Sequence, residues 1–319
     1  MTHVSSPARP AGLAHRKQLP SKRRGFPTAR HLVVLGAAAL LLGVAAPRAA
    51  EARCIPVAER QDDPPSGFAF DRGTIAAPAG AARVRLAAAT GAGARGPALP
   101  EGTVELTFLG HSTFLIRTTA DATAVTDYNG YIRAPFAPDI VTMNRAHNTH
   151  YSEVIEPGVK HALKGWMEKG VIPSHDVTVR DLHVTNLATN IREMAGDSGW
   201  AGNSIFIFKS AGLCIGHLGH LHHRLIPSHA ARVGMIDVLL APIDDGYTMP
   251  QALLVQVIDD LKPVVVIPMH YGFGGTLESF LALMRSRKFA IRIAGTRSVR
   301  FSKPSLPTQP TVVVLEGGG

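Results

Sequence analysis

The stretch Gly216-His217-Leu218-Gly219-His220-Leu221-His222-His223 puts four imidazoles within seven residues, directly after a strand-like apolar run at 204–215. A neutral ring nitrogen offers a lone pair at physiological pH, which makes histidine the commonest protein metal ligand. A turn leaving a strand can aim His217 and His220 into one cleft across Leu218 and Gly219. For any single histidine, a polar loop facing water is the ordinary alternative. Three other stretches weigh against it here: Gly110-His111, residues 144–150, and Met269-His270.

Those stretches share a position in the chain. Strand-like runs at 104–108 and 113–117 flank Gly110-His111-Ser112, and a third at 122–126 ends at Asp127 before the turn Tyr128-Asn129-Gly130. A short run at 140–143 leads to His147 and His150, and another at 264–267 leads through Pro268-Met269 to His270. His111, Asp127, His147, His150, His217 or His220, and His270 therefore each follow a short apolar run. Loops at sheet edges are where rigid elements present ligands to a shared cleft. A common metal site follows from that pattern.

The rest of the chain reads as strands first, then strands alternating with helices. Residues 177–179 and 182–187 look like paired strands, and 205–209 with 213–217 like a hairpin around Ser210-Ala211-Gly212. A buried strand at 238–243 ends at Asp244-Asp245-Gly246. Leu253, Leu254, Val257, Ile258 and Leu261 have helical spacing, so a helix is predicted over 250–261 with Pro250 in its first turn and Pro263 as its stop. A second helix is predicted at 277–285, with strands at 291–294 and 312–315. Residues 153–174 receive no assignment. The class is α/β (α+β), and no internal repeat is apparent.

The net charge of +9 is misleading until it is located. Residues 1–52 hold eight Lys and Arg against one acid, Glu51, which leaves the remainder near +2. That balance offers no argument for a nucleic-acid partner. A basic stretch from Arg9 to Arg30 precedes the uncharged run 32–46, and Ala50-Glu51-Ala52 offers a small-residue cleavage site. This is the layout of a secretory signal peptide, and the run is short for a membrane span. Arg23-Arg24-Gly25-Phe26 resembles a twin-arginine core. The expectation is a periplasmic or secreted protein with no stable membrane insertion after cleavage; the alternative is anchoring through an uncleaved 32–46. Residues 53–100 are rich in Ala, Gly, Pro and Arg and read as a linker, so the folded domain is set at 101–319. Cys54 and Cys214 could form one disulfide, but Cys214 lies in the apolar run Leu213-Cys214-Ile215, where a buried free thiol is the more ordinary state.

Several stretches together resemble the metallo-β-lactamase superfamily, in the branch of lactonase-like and phospholipase-D-like hydrolases. They are 106–116 (LTFLGHSTFLI), Thr126-Asp127, Asp139-Ile140-Val141, Ile215-Gly216-His217-Leu218-Gly219, 237–243 with Tyr247-Thr248-Met249, and Val266-Ile267-Pro268-Met269-His270-Tyr271. The resemblance implies a four-layer αββα sandwich, a metal-dependent hydrolase and metals held between sheet edges. It also exposes departures. Where the family reads His-x-His-x-Asp-His, this chain reads Arg145-Ala146-His147-Asn148-Thr149-His150. Asn190 stands near the family's further histidine ligand, and His220 falls where a bridging aspartate is expected.

Two adjacent zinc ions need anionic ligands between them to offset their repulsion, and Thr149 and His220 remove that charge while Arg145 adds a fixed positive one. The expectation is one ion, Zn²⁺ or another divalent metal, held by three of His147, His150, His220 and His270, with His217 as a further candidate ligand. Asp127 either orients a ligand imidazole or only caps its turn. Arg145 either binds a substrate carboxylate or phosphate or forms a structural ion pair. His111 is placed in the cleft, while His222 and His223 are placed outside the ligand set. The leading function is an exported hydrolase using a metal-activated water on an ester, lactone, amide or phosphodiester of a small molecule; the alternative is a member of the fold that binds a metal or ligand without catalysis.

Overall fold

Period-two alternation along the strands sorts apolar side chains onto opposite faces of two sheets. The computed structural model describes residues 95–144, 147–192, 198–272 and 274–317. The expected leader, most of the linker, Cys54 and Arg145 lie outside the described residues. Strands β1 (Val104–Gly110), β2 (Thr113–Thr118), β3 (Thr123–Val125), β4 (Ile140–Met143) and β5 (His161–Lys164) form the first sheet, with β13 (Ser298–Phe301) beside β1. The second sheet has the order β12 (Ala290–Ile293), β14 (Thr311–Val314), β11 (Val265–Met269), β10 (Val238–Pro242), β9 (Leu213–His217), β8 (Ser198–Ser210), β7 (Leu182–Arg192) and β6 (Asp176–Val179).

The alternation is plain at β10. Val238 and Leu240 enter the layer between the sheets, where they join Leu106, Phe114, Ile140, Phe206 and Ile267. Leu239 and Ala241 face the other way, into a layer with Leu254, Ile258, Phe280 and Met284. That outer layer is built by the helices α1 (Pro227–Val233), α2 (Gln251–Leu261) and α3 (Thr276–Ser286). The outer face of the first sheet carries Leu115, Val125, Val141 and Met143, and it is covered by Tyr128, Trp166, Phe136 and Tyr151. The expected sandwich therefore has helices over one sheet and, among the described residues, irregular chain over the other.

Strands β9, β10 and β11 run parallel in register, so their C-terminal ends open at one edge. The site assembles there.

The structure differs from expectation in several places. The strands β7 and β8 are much longer than the predicted runs 182–187 and 205–209, at 11 and 13 residues, and they pair with each other in a long hairpin. Buried Asn186, Thr189, Asn203 and Ser204 interrupt its apolar pattern, and hydrogen bonds satisfy them: Asn186 Nδ2 donates to Ser204 Oγ at 2.9 Å and Asn203 Nδ2 to Thr189 Oγ1 at 2.8 Å. Pro250 is the N-cap of α2 instead of lying in its first turn, and Lys262 ends the helix in a left-handed conformation. The strands β5 and β13 and the helix α1 are additions. Cys214 is disulfide-bonded, which corrects the expectation of a free buried thiol.

The domain also starts earlier than Glu101. Arg95 donates to the Asp121 carbonyl at 2.7 Å and reaches Asp139 at 3.2 Å, and Leu99 is buried. Asp139 is a junction: Lys160 at 2.7 Å and Arg180 at 3.0 Å also pair with it, and the Thr123 amide and hydroxyl donate to it at 3.0 Å. Burial opposes its charge, but Lys160, Thr123 and Arg95 hold its carboxyl well below the usual range.

Two predictions follow from this packing. Leu240→Ala, at a fully buried position between the sheets, should cost about 2–5 kcal/mol, read from the denaturant midpoint. Because the folded pKa of Asp139 is depressed, its contribution is complete above the unfolded value and is lost as pH falls through the folded one. Asp139→Asn should lower the neutral-pH melting temperature and flatten its decline below about pH 4. An acid limb as steep as in the unmodified protein would rule out Asp139 as its source.

Candidate metal centre

Three strand ends leave the sheet through left-handed backbone. His111, Asp127 and His270 have φ of 53°, 43° and 57°. This conformation is uncommon away from glycine and costs on the order of 1–3 kcal/mol per residue. The strain is held by contacts across the end of the sandwich. The His270 amide donates to the His111 carbonyl at 2.7 Å, and Thr126 Oγ1, just before Asp127, donates to the Ser112 carbonyl at 3.0 Å.

Around these turns, His147, His150, His220 and His270 converge, each offering one nitrogen, with all four nitrogens within 4.8 Å of one another. His147 Nε2 lies 2.7 Å from His220 Nε2, and His150 Nε2 lies 3.2 Å from His270 Nε2. His150, His220 and His270 are buried; His147 is exposed. The first two of these histidines come from the loop after β4, and the other two from the loops that follow β9 and β11.

The opposite side of the rings explains their orientation. His150 Nδ1 donates to Asp127 Oδ2 at 2.6 Å, with Ser112 Oγ at 3.2 Å, so its Nε2 lone pair faces the cluster. Asp127 accepts a second bond from Asn144 Nδ2 at 3.0 Å. His270 Nδ1 stands 3.3 Å from Asp244 Oδ1, and that carboxylate is fixed by the Thr248 hydroxyl and by the Thr248 amide at 2.9 Å. His220 Nδ1 meets His222 Nε2 at 2.5 Å. Burial pushes the Asp127 carboxyl up, but His150, His217 and the Ser112 hydrogen bond outweigh it and hold the pKa at about 2. Burial, then His150 and His270, lowers the pKa of both His220 and His147, so both are neutral donors at physiological pH.

The loop bearing His220 is pinned by amides. The His220 amide donates to Asn203 Oδ1 at 2.7 Å, and Asn203 Nδ2 donates to the Leu218 carbonyl at 3.1 Å. Gly219 has φ 59°, and a Cβ there would collide with Asn144 and Asn203. No other residue type fits that turn.

His217, a further candidate by sequence, lies outside this group of four. It is fully buried, its Nε2 donates to the Ser112 carbonyl at 2.9 Å, and its Nδ1 accepts from the Gly219 amide at 3.1 Å. With both nitrogens occupied, it braces the turn. His111 lies against the cluster, with ring centroids 4.1 Å from His270 and 5.1 Å from His150. Its Nε2 is buried without a partner, and burial followed by His270 and His150 lowers its pKa to about 3. Asp127 orients His150 as well as ending β3. Asn190 Oδ1 accepts from the Ala201 amide at 2.9 Å, and Asn190 is not in the ligand group.

Sequence reasoning passed over Asp244, Asn144, Asn203 and the contact of His222 with His220. Asp244 was accessible, since it follows an apolar strand as Asp127 does. The two asparagines carry no pattern of their own in the sequence.

The beta-lactamase superfamily domain matches residues 105–270, which span every member of this cluster. The chain belongs to the beta-lactamase superfamily. Among the relatives, a UPF0173 metal-dependent hydrolase of Lysinibacillus sphaericus is 24% identical over 229 residues, covering 61% of this chain and 98% of that protein. A UPF0173 protein of Pyrococcus abyssi is 33% identical over 76 residues, covering 23% of this chain and only 35% of the relative. A solved structure from Thermotoga maritima, assigned as a Zn-dependent hydrolase of the metallo-beta-lactamase superfamily, is 26% identical with a TM-score of 0.49, covering 66% of this chain and 98% of the other.

The residues fit a divalent cation: four convergent imidazoles, with ionised Asp127 and Asp244 behind two of them. Removing an outer partner of a ligand histidine typically costs about 10–100-fold in metal affinity. Asp127→Asn and Asp244→Asn should each show that loss by chelator competition with an unchanged circular dichroism spectrum. Wild-type affinity in both would detach the carboxylates from the metal site.

Proposed function

We propose that this chain is an exported hydrolase that holds one divalent cation, Zn²⁺ by preference, and acts on an ester, lactone, amide or phosphodiester of a small molecule. The observation that carries the reading is the convergence of His147, His150, His220 and His270 with no carboxylate among them. One ion is favoured because nothing anionic separates two, while Asp127 and Asp244 offset the charge of one from behind the rings. The relatives described as metal-dependent hydrolases support the same class. The basic leader followed by an uncharged run supports export.

When bound, such a cation supplies Lewis acidity and makes a water available as a nucleophile near neutral pH. The chain supplies the rest. His150, His220 and His270 form a buried imidazole triad whose orientation is set by Asp127, His222 and Asp244. His147, exposed and joined to His220 Nε2, lies on the open side with the exposed ring of Tyr247 at 6.3 Å. Substrate enters there. His111, neutral and with its Nε2 otherwise unpartnered, is the donor placed beside His270.

A binding role without catalysis is the second reading. It is favoured by the fourth imidazole, because closed four-ligand sites are typically structural and catalytic sites keep a position open.

Metal analysis of the purified protein should find about one equivalent per chain, lost in His150→Ala and in His270→Ala. Metal-free protein, or full retention in both variants, would overturn the site. Turnover on an ester, lactone, amide and phosphodiester panel, abolished by His270→Ala and by chelation, separates the hydrolase from the binding-only reading.

A further inference from the structure

The loop that carries His220 to the metal cluster carries His223 to a separate cavity. This space of about 200 Å³ is lined by Arg232, His229, His223, Trp200, Asn190 and Ile172 together with small residues of β7 and β8. None of the described residues that line it is acidic. The Arg232 guanidinium, half-buried on α1, makes no hydrogen bond or ion pair with any described residue. His229 has a buried Nδ1 without a partner. His223, by contrast, is fully used: its Nε2 accepts from the Asn190 amide at 3.2 Å and its Nδ1 donates to the Arg224 carbonyl at 2.9 Å. Trp200 leaves about half its surface exposed. Asn190, which the family resemblance sets near a metal ligand, forms a wall of this cavity instead.

We infer that this cavity is a binding site for a small monocarboxylate bearing one ring or a short apolar chain. A partly buried cation with no partner among the described residues, in a cavity whose described lining holds no acid, suits an anion, and a guanidinium recognises a carboxylate through two parallel hydrogen bonds. His229 adds a second polar contact. Trp200, Ile172, Ala188 and Ala201 supply an apolar face for the rest of the ligand. The volume is below the roughly 300–1,000 Å³ of a drug-sized pocket, which limits the occupant to about one ring. A single guanidinium in a mixed lining suits a singly charged carboxylate better than a phosphate dianion, which asks for more donors.

The chain contains two tryptophans, Trp166 and Trp200, and Trp166 is buried. Trp166→Phe therefore isolates the Trp200 emission in the full-length protein. Titration with benzoate should change that emission saturably, with calorimetry giving the same dissociation constant; benzamide and inorganic phosphate should do neither. Arg232→Gln should weaken benzoate about tenfold or more, and Arg232→Lys should restore part of the loss. His270→Ala, which removes a residue of the metal cluster, should leave benzoate binding unchanged, so failure of the metal assignment and failure of this site are read separately. Absence of saturation, equal binding of benzamide, preference for phosphate, an unaffected Arg232→Gln, or loss of binding in His270→Ala would each overturn the proposal.

Discussion

A carboxylate with no exposed surface, Asp127, is clamped between His150 Nδ1 and the Asn144 amide, and the end of the sandwich is arranged around those two bonds. A buried ionised group is tolerable only when it is paired and hydrogen-bonded. That requirement fixes the neighbours. Asn144 also accepts from the Ser204 amide at 2.7 Å, so the residue that positions the carboxylate is tied to β8 in the opposite sheet. Asp127 thus registers one sheet against the other while orienting a histidine.

The polar interior around it follows the same logic. Ser112 offers its carbonyl to Thr126 and His217 and its hydroxyl to His150, so one short turn between β1 and β2 meets three elements. Asn203 does similar work for the loop after β9. These groups contribute little net stability apiece, because each exchanges water for protein. What they contribute is direction: the buried imidazoles of His150, His220 and His270, each with a partner behind its ring, are held towards the cluster. The left-handed turns at His111, Asp127 and His270 persist because these contacts over-determine them.

The sandwich was largely legible from the sequence, because its central strands alternate or run apolar in short blocks with turn residues between them. Residues 238–243 and 264–267 show this best, as the strands β10 and β11 occupy nearly those positions. The strands β7 and β8 were foreshortened because the end where they pair is polar by composition and satisfied only by partners distant in sequence. The strand β5 lies within a stretch that carries no periodicity of its own. At the site, the strand-end rule located the histidines that converge, but His217 shows what it omits. Leu213 and Ile215 face the layer between the sheets, and His217 shares their parity, so it points inward to Phe114 and the Ser112 carbonyl instead of outward to the cleft. Counting by twos along β9 would have set it apart from His220.

The four clustered histidines divide evenly between the halves of the sandwich: His147 and His150 follow β4 of the first sheet, while His220 and His270 follow strands of the second. A cation shared by all four would rivet the open end of a structure otherwise fastened by apolar contact. Linkage then runs both ways, since whatever stabilises the closed pairing of the sheets raises affinity for the ion, and the ion in turn stabilises the pairing. A substitution deep between the sheets, at Leu106 or Ile267, could therefore loosen the metal without touching any group that holds it. The hydrophobic layer acts, in this sense, as a remote part of the coordination chemistry.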